Sequence, residues 1–160
     1  MRLILLGVGR LKAGPERELS ARYLERAAAA ARTARLTGFE SREIDESRAR
    51  RPEDRKADEA RALAAIIPPG ALVMALDERG RSISSQTFAD EIGRCRDGGT
   101  PTLALVIGGP DGLDETFRAS ARWTLAFGAM TWPHQLVRVM AAEQIYRAIT
   151  ILAGHPYHRV

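Results

Sequence analysis

Residues 103–113, LALVIGGPDGL, contain the feature that decides the fold of this chain. A continuous apolar run of strand length leads directly into a Gly-Gly-Pro loop. Strands that are apolar on both faces are typical of parallel sheets covered by helices on both sides. Gly108 and Gly109 let the backbone turn sharply and leave its polar groups open to a ligand, although Pro-Asp-Gly is also an ordinary turn. This stretch therefore predicts a buried strand that ends at a loop able to line a pocket.

Strand-like and helix-like segments alternate on both sides of this stretch. Strands are predicted at 2–9, 35–44 (polar, hence an edge strand), 71–77, 102–108 and 123–127. Helices are predicted at 15–32, within 47–67, from a cap at Ser84 or Ser85, over 113–121 and over 133–153. The segment ERGR at 78–81 predicts a turn. The sequence therefore predicts an α/β fold in a single domain spanning 1–160, with a mostly parallel sheet covered by helices on both faces.

The positive charge of the chain is concentrated near its end. The 160 residues carry a net charge of +4, and the part after Glu115 accounts for all of it, with five arginines against one glutamate. The three histidines, His134, His155 and His158, also lie there. A cationic end with histidines suits a phosphate-rich ligand, while arginines solvated on the outer face of a helix are an equally good interpretation.

Several classes of protein fit this composition poorly. The single Cys95 excludes an intramolecular disulfide and a CxxC metal site, and its helix-like surroundings predict a half-buried structural thiol. No apolar run is long enough for a signal peptide or a bilayer span, so we expect a soluble, cytoplasmic protein. The glycine and lysine patterns of nicotinamide enzymes and nucleoside-triphosphate enzymes are absent.

The predicted sheet places three loops where a ligand would bind. Ligands of open α/β sheets bind outside the carboxyl ends of the strands. The segments Leu76–Gly80, Gly108–Gly112 and Phe127–Pro133 follow predicted strands and should meet there. These loops predict the pocket of the protein.

The last predicted helix carries a broad apolar stripe. Its members recur every three or four residues: Val137, Ala141, Ile145, Ala148 and Leu152, widened by Leu136 and Met140. The stripe is wide enough to cover the sheet and also contact a partner subunit. Pro133 suits the first turn, with Thr131 or Trp132 as the cap. Glu143 and Arg147 stand one turn apart and predict a surface ion pair.

The tail after this helix is unusually rich in functional side chains. Gly154 ends the helix and Pro156 prevents it from resuming. His155, Tyr157, His158 and Arg159 then supply donors, acceptors, an aromatic face and a cation within five positions. The tail is therefore a candidate for chemistry beside the pocket.

Four of these segments together resemble a known family. They are LDERGRSISSQTFA (76–89), IGGPDGL (107–113), MTWPHQLVRVMAAEQIYRA (130–148) and GHPYHR (154–159). In this order they closely resemble the RlmH family, SPOUT-superfamily methyltransferases of 23S ribosomal RNA. The resemblance covers essentially the whole chain. It implies a deep C-terminal trefoil knot that binds S-adenosylmethionine, and a homodimer that packs its last helices together and builds each site from both subunits.

The resemblance also implies a set of cofactor contacts. They are Leu76, Gly108, Gly109, Phe127, Gly128, Ala129, Met130, Thr131 and Trp132. This sequence departs from the usual family pattern at Phe127-Gly128, where Leu-Ser is common, and at Trp132, where Leu or Phe is common. The changes are harmless if backbone groups and apolar cover hold the adenine, and they weaken binding if a serine hydroxyl contributes.

The implied reaction is methylation at N3 of a pseudouridine of 23S rRNA on the assembled ribosome, without a metal. The nucleophile must lose its N3 proton and attack an activated methyl group, so the protein aligns the reactants and assists proton removal. The candidate catalytic residues are His158, Tyr157 and Arg159, with His134 behind them. Two alternatives remain open: a SPOUT methyltransferase acting on another RNA such as tRNA, and a ribosome-binding module without catalysis.

Overall fold

A computed structural model describes residues 1–157 of the chain. Within that part, strands and α-helices alternate along the sequence. In order they are β1 Arg2–Val8, α1 Pro15–Ala30, β2 Gly38–Ile44, α2 Pro52–Ile66, β3 Leu72–Arg81, α3 Ser85–Asp97, β4 Thr102–Ile107, α4 Glu115–Ser120, β5 Trp123–Leu125 and α5 His134–Leu152. A short 3₁₀ turn, Ala31–Ala34, follows α1.

The five strands form one sheet in the order β2-β1-β4-β3-β5. Every neighbouring pair is parallel, so the predicted mostly parallel sheet is confirmed and proves wholly parallel. The polar β2 lies at the edge, as predicted. All six residues of β4 are buried in the middle of the sheet, which explains the unbroken apolar run that precedes the glycine loop.

Each face of the sheet has its own core. Alternate strand residues point to opposite faces, so Leu3 and Leu105 pack toward α1, α3 and α5, where Ile145 of α5 is fully buried. Ile4 and Val106 pack on the other face, against Leu63 of α2 and the segment around α4. The prediction of helices on both faces is confirmed. Truncating a fully buried side chain such as Ile145 to alanine would cost about 2–5 kcal/mol.

Strand β3 is longer than the sequence suggested. The predicted turn at 78–81 is wrong, because the strand continues through Arg81 after an irregularity in its register with β5. The Arg81 carbonyl accepts a hydrogen bond from the Ala126 N–H at 3.1 Å. Gly80 makes this possible, since a Cβ there would collide with the backbone of Leu125. The two backbones therefore approach more closely than any other residue at position 80 would permit.

The helix caps confirm one prediction and correct another. Ser84 caps α3, its hydroxyl accepting a hydrogen bond from the Thr87 N–H at 3.1 Å. Helix α5 begins at His134, one residue later than predicted, and Pro133 is itself the extended N-cap residue. The predicted cap at Thr131 or Trp132 is wrong because both belong to the preceding loop.

Cys95 is buried in α3 rather than half-buried as predicted, and burial raises the pKa of its thiol. No helix within residues 1–157 has the length and apolar character needed to span a bilayer. The trefoil knot stays a prediction from the family resemblance.

Candidate active site

The three segments predicted to bind a ligand meet at the carboxyl edge of the sheet around a cavity of about 420 Å³. This volume lies in the range of small-molecule sites. The prediction of Leu76–Gly80 as a loop is wrong, because this segment lies within β3. Eight of the nine predicted cofactor contacts line it: Leu76, Gly108, Gly109, Phe127, Gly128, Met130, Thr131 and Trp132. Ala129 is not part of the lining. We call this space the loop cavity.

One wall of the loop cavity is the glycine loop after β4. The Gly112 N–H donates to the Gly109 carbonyl at 2.9 Å, so the segment is a tight turn. A Cβ on Gly108 would lie 2.8 Å from the Gly112 carbonyl carbon, closer than real Cβ contacts. The absence of a side chain thus allows the loop to fold against the end of its own strand and present its backbone to the cavity.

A buried carboxylate that could not be identified from the sequence packs against this loop. The Glu59 carboxylate of α2 lies against Gly109, where an added Cβ would be 3.1 Å from Glu59 Oε2. Glu59 also accepts a hydrogen bond from the Ser47 N–H at 3.0 Å, and its burial raises its pKa. In the sequence this glutamate belongs to a charged helix, and no pattern distinguishes it from its exposed neighbours.

The opposite wall is the loop between β5 and α5. The Trp132 indole N–H donates to the Phe127 carbonyl at 3.2 Å and closes the loop on itself. The Thr131 hydroxyl donates to the Glu78 carboxylate at 3.3 Å and ties the loop to β3. Gly128 has a φ of 103°, which favours glycine. These contacts give a short, mostly apolar segment a defined shape.

Most charged side chains at the rim of the loop cavity form ion pairs with other residues of the chain. Arg79 donates to Asp77 at 2.9 Å, and this hydrogen bond holds the pKa of the Asp77 carboxyl below its usual range. Asp111 pairs with Arg55 of α2 at 2.6 Å. Both carboxylates therefore remain ionised at neutral pH. Among residues 1–157, no group of three or more His, Cys, Asp or Glu side chains is arranged to hold a metal ion.

The predicted catalytic residues divide between two places. His134 lines the loop cavity at the start of α5. Tyr157 does not line it and packs on the side of α5 instead, with its ring centroid 4.7 Å from that of Tyr146. His158 and Arg159 lie outside the described residues.

Tyr157 is held by a half-buried cluster on α5. Its hydroxyl donates to Glu143 at 3.3 Å, and Arg147 lies 5.2 Å from its ring centroid. The Arg147 Nε donates to Glu143 at 2.9 Å, so the predicted surface ion pair is in fact half-buried. Burial and the neighbouring Tyr23 hydroxyl raise the pKa of Tyr157 to about 12. Tyr157 therefore keeps its proton at neutral pH and acts as a donor, not as a base.

The arginines near the end of the chain are less free than their number suggests. Arg138 is buried, with one side-chain nitrogen paired with Glu43 and another donating to the Gly9 carbonyl. Arg118 pairs with Glu115, and Arg147 with Glu143. Three of the five arginines counted in the sequence are thus bound within the chain, so the charge count alone does not locate an anionic ligand.

The chain is therefore an α/β protein with a small-molecule cavity at the carboxyl edge of a wholly parallel sheet and without a glycine-rich nucleotide fingerprint. The cavity is built from the end of β3 and the loops that follow β4 and β5. A family model described as "Predicted SPOUT methyltransferase" matches residues 1–158, and the chain belongs to that family.

Curated relatives are similar along the whole chain. A protein of Beijerinckia indica named "Ribosomal RNA large subunit methyltransferase H" is 58% identical over 159 residues, 99% of each chain. A protein of Methylocella silvestris with the same name is 59% identical over the same share of both chains. Among solved structures, the SpoU methyltransferase AviRb from Streptomyces viridochromogenes in complex with AdoMet is 14% identical, with a TM-score of 0.39 over 91% of this chain and 56% of that one. That similarity is too low to add to the assignment.

Proposed function

We propose that this protein transfers a methyl group from S-adenosylmethionine to large-subunit ribosomal RNA, at N3 of a pseudouridine of 23S rRNA on the assembled ribosome. The observation that carries the proposal is the identity of 58–59% over 99% of the chain to proteins named as large-subunit rRNA methyltransferases. Membership of the SPOUT methyltransferase family supports the same reaction class.

The loop cavity fits S-adenosylmethionine. Its walls combine apolar side chains, such as Leu76 and Phe127, with exposed backbone groups of the two loops, which suits an adenine ring. Glu78 lines the same cavity, forms no ion pair within residues 1–157 and complements a positively charged ligand. Bound there, the cofactor supplies a methyl group already activated by its sulfonium centre.

The residues of the chain would align the reactants, exclude water and assist proton removal. Phe127, Met130 and Trp132 give the cavity an apolar cover. Among the candidates within residues 1–157, His134 is the one that lines the cavity. Tyr157 donates its hydroxyl proton to Glu143, so its ring would stack on the base, while His158 and Arg159 of the tail would orient the imide oxygens.

We further propose a homodimer in which the tail of one subunit completes the site of the other. Met130, Trp132 and Leu136 are 73%, 41% and 40% exposed and lie together at the start of α5, an apolar surface suited to a partner. Tyr157 contacts Glu143, which lies about 14 Å along the helix from His134 at 1.5 Å per residue. Tyr157 thus packs beside Glu143 and does not line the loop cavity of its own chain, and we propose that an antiparallel pair of α5 helices brings each tail toward the other cavity.

The decisive experiment is labelled methyl transfer to ribosomes that lack the modification, followed by mapping of the labelled base. We expect label on a single pseudouridine of 23S rRNA. Label on tRNA instead would support the other RNA substrate. The absence of saturable S-adenosylmethionine binding in calorimetry would support a binding module and would contradict the proposal.

Removing the tail tests its role. A chain ending at Gly154 should keep its fold and its affinity for S-adenosylmethionine but lose methyl transfer, because the donors of the tail are gone. Calorimetry and circular dichroism provide the controls. Full activity of the shortened chain would show that the tail has no part in the reaction.

Mixed dimers test whether the tail acts in the partner's site. The shortened chain is combined with a full-length Gly108→Ala chain, at a cofactor concentration that fills the wild-type loop cavity but not the altered one. If the tail acts across the dimer, each mixed dimer has one complete site, and random exchange should restore about a quarter of wild-type activity. If the tail acts within its own subunit, both sites of the mixed dimer are defective and no activity returns.

A further inference from the structure

A second cavity opens on the other side of α5. It has a volume of about 620 Å³ and lies between the β1–α1 connection, α1, β2 and the first turns of α5. Arg10, Leu11, Arg17, Ser20, Glu43 and Arg138 are among the residues that line it. We call it the arginine cavity. None of its lining residues belongs to the loop cavity.

The arginine cavity is cationic once its internal pairs are counted. Its lining contains three arginines and one carboxylate, Glu43. Glu43 is paired with Arg138, which is 5% exposed and also donates to the Gly9 carbonyl. This pair neutralises the single acid of the lining. Arg10 and Arg17 therefore provide an excess of positive charge.

Both excess arginines are available to an anion. Arg10 pairs with Asp45 at 2.8 Å, but the two side chains are 73% and 75% exposed, and such a pair is worth about 0–1 kcal/mol. Arg17 is exposed and forms no ion pair within residues 1–157. A phosphate group can replace Asp45 at low cost and accept two parallel hydrogen bonds from a guanidinium.

The hydroxyl groups that line the arginine cavity, and its position beside the loop cavity, favour a nucleic-acid backbone as its ligand. Ser20, 3% exposed, and Ser41 place hydroxyls in the lining, and serine hydroxyls commonly contact phosphate oxygens. Val137 of α5 lines the loop cavity, and the next residue, Arg138, lines the arginine cavity. A strand crossing the carboxyl edge of the sheet beside α5 would thus meet both cavities.

We propose that the arginine cavity binds backbone phosphates of the RNA strand on one side of the methylated nucleotide. The inference rests on the proposed function, because it takes the loop cavity as the site of methyl transfer. Arg10 and Arg17 would hold the phosphates by charge and hydrogen bonds, while the Arg138–Glu43 pair shapes the floor of the cavity. The contribution is to RNA affinity and register, not to cofactor binding.

The test measures RNA binding of the double variant Arg10→Ala/Arg17→Ala against salt concentration. The probe is ribosomes that lack the modification, and binding is read directly, so a result is obtained even without methyl transfer. Each lost phosphate contact reduces the slope of log affinity against log salt by about one, so the double variant should lose about two. We expect at least tenfold weaker binding at physiological salt and an unchanged Kd for S-adenosylmethionine.

The matched control is Arg32→Ala/Arg94→Ala, which removes the same charge from exposed residues at the amino edge of the sheet. The control should keep the wild-type slope. The proposal is overturned if the double variant keeps it too, or if its slope falls no further than that of the control. Competition by inorganic phosphate at low millimolar concentration would also overturn it, since that indicates a site for a free anion.

The two proposals fail in different ways. Wild-type protein that binds the ribosome with a steep salt slope but transfers no methyl group would contradict the proposed function alone. Wild-type protein that methylates its base while the double variant keeps the full salt slope would contradict the arginine cavity alone.

Discussion

The loop cavity and the arginine cavity lie on two sides of the same helix end and are built in different ways. The loop cavity is made from the end of β3 and the two loops that follow β4 and β5, and it presents backbone groups and apolar side chains. The arginine cavity is made from single side chains of β1, α1, β2 and α5 and presents charge. The first suits a compact cofactor, and the second suits an extended polyanion.

This difference explains why the sequence predicted the loop cavity but not the arginine cavity. Glycine loops at strand ends leave a local pattern, so Gly108 and the 127–132 segment can be found by inspection. Arg138 and Glu43 are 95 residues apart, and only the fold joins them. Charge counting placed the basic surface at the end of the chain, whereas the structure pairs Arg138 internally and leaves Arg10 and Arg17 exposed.

The largest effect on stability is expected for a substitution of Arg138, which lies on α5 between the two cavities. Replacing Arg138→Ala removes the donor of two charge-assisted hydrogen bonds, to Glu43 and to the Gly9 carbonyl, so the free energy of unfolding should fall by about 3 kcal/mol. Urea denaturation measures it. Because the change lies outside the loop cavity, cofactor affinity of the folded protein should stay within about threefold, a difference well under 1 kcal/mol.

Two further variants serve as controls for this prediction. Arg61→Ala breaks an exposed pair with Asp58 on α2 and should cost under about 1 kcal/mol. The double variant Glu43→Gln/Arg138→Met removes both charges and should recover much of the lost stability. Equal losses of stability in Arg138→Ala and Arg61→Ala would show that the Arg138–Glu43 pair stabilises the fold no more than an exposed ion pair does.

The next largest effect is expected for Gly108→Ala, and it should be confined to cofactor binding in the loop cavity. In Gly108→Ala the new Cβ would meet the Gly112 carbonyl carbon at 2.8 Å, so the glycine loop must shift. Overpacking of this kind costs about 1–3 kcal/mol, which corresponds to roughly fivefold to 150-fold weaker cofactor binding in calorimetry.

Gly38→Ala is the matched control for Gly108→Ala. It makes the same change at the start of β2, where nothing lies within 4 Å of the added Cβ. It should leave cofactor affinity unchanged. RNA binding at the arginine cavity should be retained in Gly108→Ala, and its loss there would mean that the two cavities do not act separately.

The fold was largely predictable, and the limits of prediction have physical causes. Apolar strands and helical periodicity reflect burial, so the alternation of elements and the position of β2 at the edge followed from the sequence. The extension of β3 to Arg81 did not, because the close approach that Gly80 permits depends on β5. The burial of Glu59 and of the Glu143–Arg147 pair likewise depends on which surfaces later elements cover.

The smallest expected effect concerns Trp132, a position at which the family resemblance implies leucine or phenylalanine. Its indole N–H closes the 127–132 loop by donating to the Phe127 carbonyl, a contact that leucine or phenylalanine cannot make. Trp132→Phe keeps the aromatic cover and removes only the donor, so cofactor affinity should fall by about 0.5–1.5 kcal/mol, or about twofold to tenfold. Trp132→Leu should lose somewhat more, because apolar contact is reduced as well. If both variants bind S-adenosylmethionine as tightly as the wild type, the hydrogen bond does not shape the cavity, and backbone geometry set by Gly128 and the Thr131–Glu78 contact is sufficient to hold the loop.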